Sequence, residues 1–175
     1  MKKWTALFTA IILFLLAGTV FANYPAHLNG NSNFILVDGH MGRAWYVDKS
    51  SLVVQKYEPP IYIIAVNVVS AESASGNERD FYEYGGAGKI VGVKTYRFFY
   101  NWDKTAMYID TTGHDGWRYL KPLGCWAETG ISMPAGEMAF YLAYNMKFYG
   151  AYRWRSGDSG NYINVYTNDF YARAK

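Results

Sequence analysis

The chain has 175 residues, 51% hydrophobic and 19% aromatic, with 17 Lys and Arg against 14 Asp and Glu for a net charge of +3. Two of the lysines stand at positions 2 and 3. Without the first 22 residues the balance is 15 against 14, which gives nucleic acid or another polyanion no electrostatic footing as a partner. The single cysteine, Cys125, excludes an internal disulfide framework, so a packed core must hold the chain together.

A basic start, an apolar run over residues 6–17, and small residues Val20 and Ala22 make residues 1–22 a secretory signal peptide, cleaved after Ala22. The other reading is an uncleaved anchor, but the run falls short of the about 20 residues a spanning helix needs. Thr19 stands where a lipid-accepting Cys would follow Leu16-Ala17-Gly18. The chain is therefore expected to be exported, to the periplasm, the medium or the cell surface, with no stable membrane span after cleavage. The remaining 153 residues suit one domain.

Residues 23–33 are polar and read as a flexible leader. Residues 34–38 and 43–48 read as strands about a Gly39-His40-Met41-Gly42 turn. Residues 52–57 extend to Pro59-Pro60, which forces a break. Residues 61–69 are almost all apolar and β-branched, the pattern of a central strand buried on both faces. Residues 70–88, rich in Ser, Glu, Asn and Gly, read as a mobile loop. Their glycines lack the spacing and context of a phosphate loop.

The meander of residues 89–120 is the centre of the pattern. Residues 93–102 hold no Gly or Pro and are rich in β-branched and aromatic types, which is strand composition. Alternation puts Tyr96, Phe98, Tyr100 and Trp102 on one face and Val93, Thr95, Arg97 and Phe99 on the other. Turns at 101–104 and 110–116 bring back strands at 105–110 and 117–120. Large side chains on both faces imply a core on one side and a covered or binding surface on the other. The one convincing helix is expected over 134–149, opened by Pro134, charged at its start by Glu137 and stopped by Gly150. Met138, Tyr141, Leu142 and Tyr149 would face the sheet. Residues 151–175 read as a C-terminal hairpin or tail.

No catalytic residue, metal ligand or cofactor motif stands out. His27, His40 and His114 form no HxH or HExxH pair. Cys125 with His114 and Asp115 lacks a nucleophile's flanking signature, and no GxSxG surrounds a serine. The segment 110–116 lacks the alternating acids of a calcium loop. Cys125 itself reads as a small buried apolar group. Binding by exposed aromatics is the favoured reading, with Trp102, Trp117, Trp126 and Trp154 as candidate contacts near turns and strand ends.

The order of Trp45 to Leu52 (Trp-Tyr-Val-Asp-Lys-Ser-Ser-Leu), the apolar strand 61–69, Phe98-Phe99-Tyr100, Trp117-Arg118-Tyr119 and the helix after Met133-Pro134 resembles the surface-adhesin protein E family. The segments 100–103 and 133–144 are similar to a group of uncharacterised exported bacterial proteins. The resemblance spans about residues 34–150. It implies an antiparallel sheet with a helix against it, a surface or periplasmic location, no catalysis, and binding of host matrix proteins. The chain departs from those lipid-anchored adhesins in lacking a lipidated Cys and a cysteine pair.

The expected architecture is one α+β domain over residues 34–150: an antiparallel sheet of five to seven strands with one main helix in its C-terminal half. The expected function is a non-enzymatic, adhesin-like envelope protein that presents its aromatic-rich sheet surface to an unknown protein or glycan ligand. The rivals are a periplasmic hydrolase with an acidic pair, and a structural protein that forms a homodimer through the spare aromatic face.

Overall fold

The computed structural model describes residues 24–175; the signal peptide read at 1–22 lies outside them. Six strands form one antiparallel sheet in chain order: β1 (Phe34–His40), β2 (Arg43–Glu58), β3 (Ile61–Ser73), β4 (Gly88–Asn101), β5 (Ala106–Asp110) and β6 (Arg118–Leu120). Each strand pairs with its sequence neighbour, which antiparallel pairing allows through short turns. The α+β class and the antiparallel sheet are as expected.

The inner face carries the main core. Phe98 and Tyr100 of β4 are fully buried, with Ile64 and Val66 of β3 and Met107 and Ile109 of β5 beside them. Short helix α1 (Glu78–Tyr82) precedes β4, and α2 (Trp126–Thr129) precedes the main helix, α3 (Ser132–Tyr144). That helix starts two residues before the expected Pro134 and stops at Asn145 rather than Gly150. Asn145 takes a left-handed conformation at φ 52° and its N–H returns to the Tyr141 carbonyl, an ending that Asn tolerates better than most residues. The burial pattern is also broader than one stripe. Ala135, Gly136, Met138, Ala139 and Phe140 are all buried, because the sheet covers one side of α3 and the C-terminal segment another. At Gly136 an added Cβ would collide with Met107 and Phe98, so helix and sheet meet at closest range there. Tyr100 Oη donates to the Gly136 carbonyl at 2.8 Å across this contact.

Glu137, expected as a charge at the helix start, is instead fully buried. Its Oε1 accepts from Phe148 N (2.9 Å), Gly150 N (3.2 Å) and the Tyr171 hydroxyl (2.7 Å), and its Oε2 from Tyr149 N (2.8 Å).

Two expectations are corrected. Residues 24–33 pack instead of hanging free: Leu28 is 1% exposed and His27 bridges to Ile35. Residues 70–88 are mostly ordered structure, since β3 runs on to Ser73 and α1 follows, with the Asn77 side chain accepting from Arg79 N at its start. These two segments meet. Asn29 Nδ2 donates to the Gly88 carbonyl and Gly88 N donates to Asn29 Oδ1, both at 2.9 Å. Leu28, Phe81 and Tyr24 close a second, smaller core on the outer face over Tyr46, Val69 and Ala71. The C-terminal segment forms a hairpin, β7 (Arg153–Arg155) with β8 (Tyr162–Asn164), and then α4 (Asn168–Ala172). Phe170 and Tyr171 of α4 enter the main core.

If leader and loop are structural, Leu28→Ala and Phe81→Ala should each lower the unfolding free energy by about 2–5 kcal/mol in urea titrations, as deletion of a well-packed side chain does. Unchanged midpoints in both variants would show that the segments do not support the fold.

Candidate functional site

With Phe98 and Tyr100 turned inward, Arg97, Phe99 and Asn101 of β4 point to the outer face. The register sets Phe99 opposite Tyr108 of β5, and Tyr108 opposite Tyr119 of β6. Trp117, just ahead of β6, joins them. Ring centroids are 5.6 Å apart for Phe99–Tyr108, 5.7 Å for Phe99–Trp117 and 5.4 Å for Tyr108–Tyr119. The rings are tilted by 67°, 47° and 57° in those pairs. They do not pile flat: Phe99, Tyr108 and Trp117 wall a shallow hollow of about 290 Å³, completed by Asn101 and Lys104.

A polar assembly braces this hollow from one side. Arg97 Nη1 donates to Asp110 Oδ2 and Asp115 Oδ1, each at 2.9 Å, and its Nε to Gln55 Oε1 at 3.0 Å. The guanidinium lies 5.1 Å from the Trp117 ring centroid, within reach of a cation–π contact. Asp110 ends β5 and is buried. Burial alone would raise its proton affinity. Hydrogen bonds from the Thr112 hydroxyl and from the backbone N–H groups of Thr112, Asp115 and Gly113 outweigh this and hold the carboxyl well below the usual range. Trp117 is thus set by a bonded chain from turn to strand to ring, on rigid elements.

The four tryptophans named from sequence separate. Trp117 lies on this face. Trp102 belongs to the inner core edge, stacked on Phe140 at 5.8 Å and 19° and edge-on to Phe148. Trp154 packs edge-on to Tyr149 at 5.9 Å, and its Nε1 donates to the Tyr149 carbonyl at 3.4 Å. Trp126 is 54% exposed and stands near His40 and Trp45, with centroids at 5.5 and 6.4 Å. Phe99, Tyr108 and Tyr119 were not singled out as contacts. For Phe99 a signal exists in the alternation of 93–102, which puts it and Arg97 on the face opposite Phe98 and Tyr100; Tyr108 and Tyr119 lie on the neighbouring strands.

The acids that the fold does bring together here, Asp110 and Asp115, share the Arg97 cation. Asp110 is held ionised, the reverse of what a general acid needs. Among the described residues no three of His, Cys, Asp and Glu are grouped as ligands for a metal ion. Cys125, read as buried, is exposed, because it stands at the N-cap of α2 with its N–H donating to Glu128 Oε2 at 3.2 Å. No helix among the described residues is long and apolar enough to cross a membrane. No protein-family model, curated protein or solved structure matches the chain.

Because its folded-state pKa is depressed, Asp110 contributes stability that is fully present above its ordinary value of 3.8 and is lost as pH falls below it. Melting temperatures between pH 5 and pH 2 should therefore fall more steeply in the wild type than in Asp110→Asn. Parallel profiles would show that the carboxylate is not held in this way.

Proposed function

We propose that the protein is an exported, non-enzymatic binding protein of the bacterial envelope that holds a glycan on the outer face of β4, β5 and β6. The observation that carries this reading is the hollow itself, in which tilted aromatic rings and hydrogen-bonding groups share one small concavity. A sugar ring offers both complements, an apolar C–H face for Trp117, Tyr108 or Phe99 and hydroxyls for Asn101 and Lys104. The hollow of about 290 Å³ sits at the small end of ligand pockets. It matches one ring of a glycan better than a flat protein contact, which takes about 800 Å² from each partner. The bracing by Arg97 and Asp110 supports the same reading, since an anchor that is already rigid loses little entropy on binding. Adhesion would be one use of such a site.

A glycan array with the mature protein, followed by titration of the best ligand, tests this. Trp117→Ala and Tyr108→Ala should each weaken binding about tenfold or more, the loss typical of an aromatic anchor. Tyr84→Ala, at an isolated ring that is 76% exposed, should leave it unchanged. Absence of any glycan ligand, or equal affinity in Trp117→Ala, would remove the proposal. Capture of a matrix protein that Trp117→Ala abolishes would move the ligand to the protein class.

A further inference from the structure

A second concavity lies elsewhere, at the free edge of β1. It is a cleft of about 490 Å³ between residues 36–39 of β1, the α2–α3 junction and the C-terminal segment. Its apolar walls include Leu36, Met133, Phe170 and the ring of Trp126. Four polar groups within or beside these walls keep charge or hydrogen-bonding capacity that the described residues do not use up.

Arg173 is the first. It lines the cleft and is only partly accessible. Among the described residues its one side-chain hydrogen bond runs from Nη1 to the Leu36 carbonyl at 3.1 Å. The ion pairs formed within 4.0 Å by those residues leave it out. A guanidinium has five N–H donors, so most of its capacity is unspent. Burial pulls its pKa below the ordinary value, and the more distant Asp169 and Asp38 carboxylates oppose that only in part. A desolvated cation without a paired anion is expensive to keep.

Asp38 is the second. Its Oδ1 accepts from Gly39 N at 2.8 Å and its Oδ2 from Trp126 Nε1 at 3.1 Å. The indole that walls the cleft also fixes this carboxylate, and each oxygen keeps a free lone pair. Opposite charges thus line one cleft without pairing.

Tyr166 and Tyr46 complete the set. Tyr166 lines the cleft, and its buried hydroxyl has no hydrogen-bond partner among the described residues. Tyr46 is fully buried on β2, also with an unpartnered hydroxyl, close enough to Arg173 to feel its charge. Unpaired buried hydroxyls each carry a desolvation cost that a fold normally avoids.

We propose that this cleft binds a small zwitterion of the amino-acid or short-peptide class, its carboxylate on Arg173 and Tyr166 and its ammonium on Asp38. A ligand of one charge would be attracted by Arg173 or Asp38 and repelled by the other, whereas a zwitterion satisfies both. The apolar walls at Met133, Phe170 and Trp126 then take a hydrophobic side chain. This site is separate from the aromatic hollow and stands whether or not a glycan binds there.

Thermal-shift and calorimetric titration of the whole mature protein with the common L-amino acids and a set of dipeptides tests the proposal. At least one should raise the melting temperature and bind saturably, and the size of the best ligand distinguishes free amino acid from peptide. The matching amine without a carboxylate and the matching acid without an amine should each bind at least tenfold more weakly. Asp38→Asn and Arg173→Gln should lose tenfold or more in affinity. Tyr166→Phe guards against a folding artefact: it should leave the unliganded melting temperature unchanged or higher, because the hydroxyl has no partner, yet weaken the ligand severalfold. Failure of every amino acid and dipeptide to bind, equal binding of the amine and acid analogues, or a lower unliganded melting temperature in Tyr166→Phe would overturn it.

Discussion

Glu137 is buried in the middle of α3, and its carboxylate collects three backbone N–H groups and the Tyr171 hydroxyl. A buried carboxylate is costly unless its oxygens are well satisfied. Here the donors come from two later stretches, Phe148 to Gly150 and α4, so one side chain gathers the C-terminal quarter of the chain. Tyr149 passes the linkage on. Its hydroxyl donates to the Leu120 carbonyl at 2.5 Å and accepts from Met107 N at 3.0 Å, which ties the same network to β6 and β5. Burial pushes the Glu137 carboxyl above the usual range, and its hydrogen bonds from Tyr171, Tyr149, Gly150 and Phe148 pull against that. A raised folded-state pKa favours the fold most below the unfolded value and less as pH rises. That sign is opposite to Asp110, so the acid response of the protein is a balance of two buried carboxylates.

The network also explains why one sheet face stays available. Helix α3 and the tail both settle on the inner face, where Glu137 holds them. Among the described residues, the outer face receives the small cover made by Tyr24, Leu28 and Phe81 at one end. Phe99, Tyr108, Trp117 and Tyr119 lie beyond that cover. Phe99, Tyr108 and Tyr119 stand on paired strands, Trp117 directly precedes β6, and Arg97 and Asp110 brace them. A recognition surface on rigid elements keeps its geometry in the absence of ligand.

Much of this fold was legible because strand alternation is a local signal. Period-two spacing sets Phe98 and Tyr100 on the face opposite Arg97 and Phe99, and turn residues mark 101–104 and 110–116; which face turns inward comes only from the packing. The segments 23–33 and 70–88 misled through composition. Their few apolar residues, Leu28 and Phe81, bury against each other's neighbourhood, and no local count of Ser, Asn and Gly reveals such a meeting. Asn77 ahead of Glu78 and Asp80 was a readable helix start. Glu137 was not readable as buried, since its partners stand 11 to 34 residues away. Nor could sequence place Asp38 and Arg173 in one cleft, because only the packing of α4 against the β1 edge brings them there. Of the four tryptophans, position near a turn could not separate Trp117, which faces outward, from Trp102, which caps the core.

Amide hydrogen exchange at Phe148, Tyr149, Gly150 and Met107, in the wild type and in Glu137→Ala, bears most directly on the role of the buried carboxylate. The four amides should be protected to nearly the level of global unfolding in the wild type. In the variant they should exchange orders of magnitude faster relative to amides of the β2–β3 pair. Free exchange at 148–150 in the wild type, or equal relative protection in both proteins, would mean that Glu137 does not hold the C-terminal quarter to the sheet.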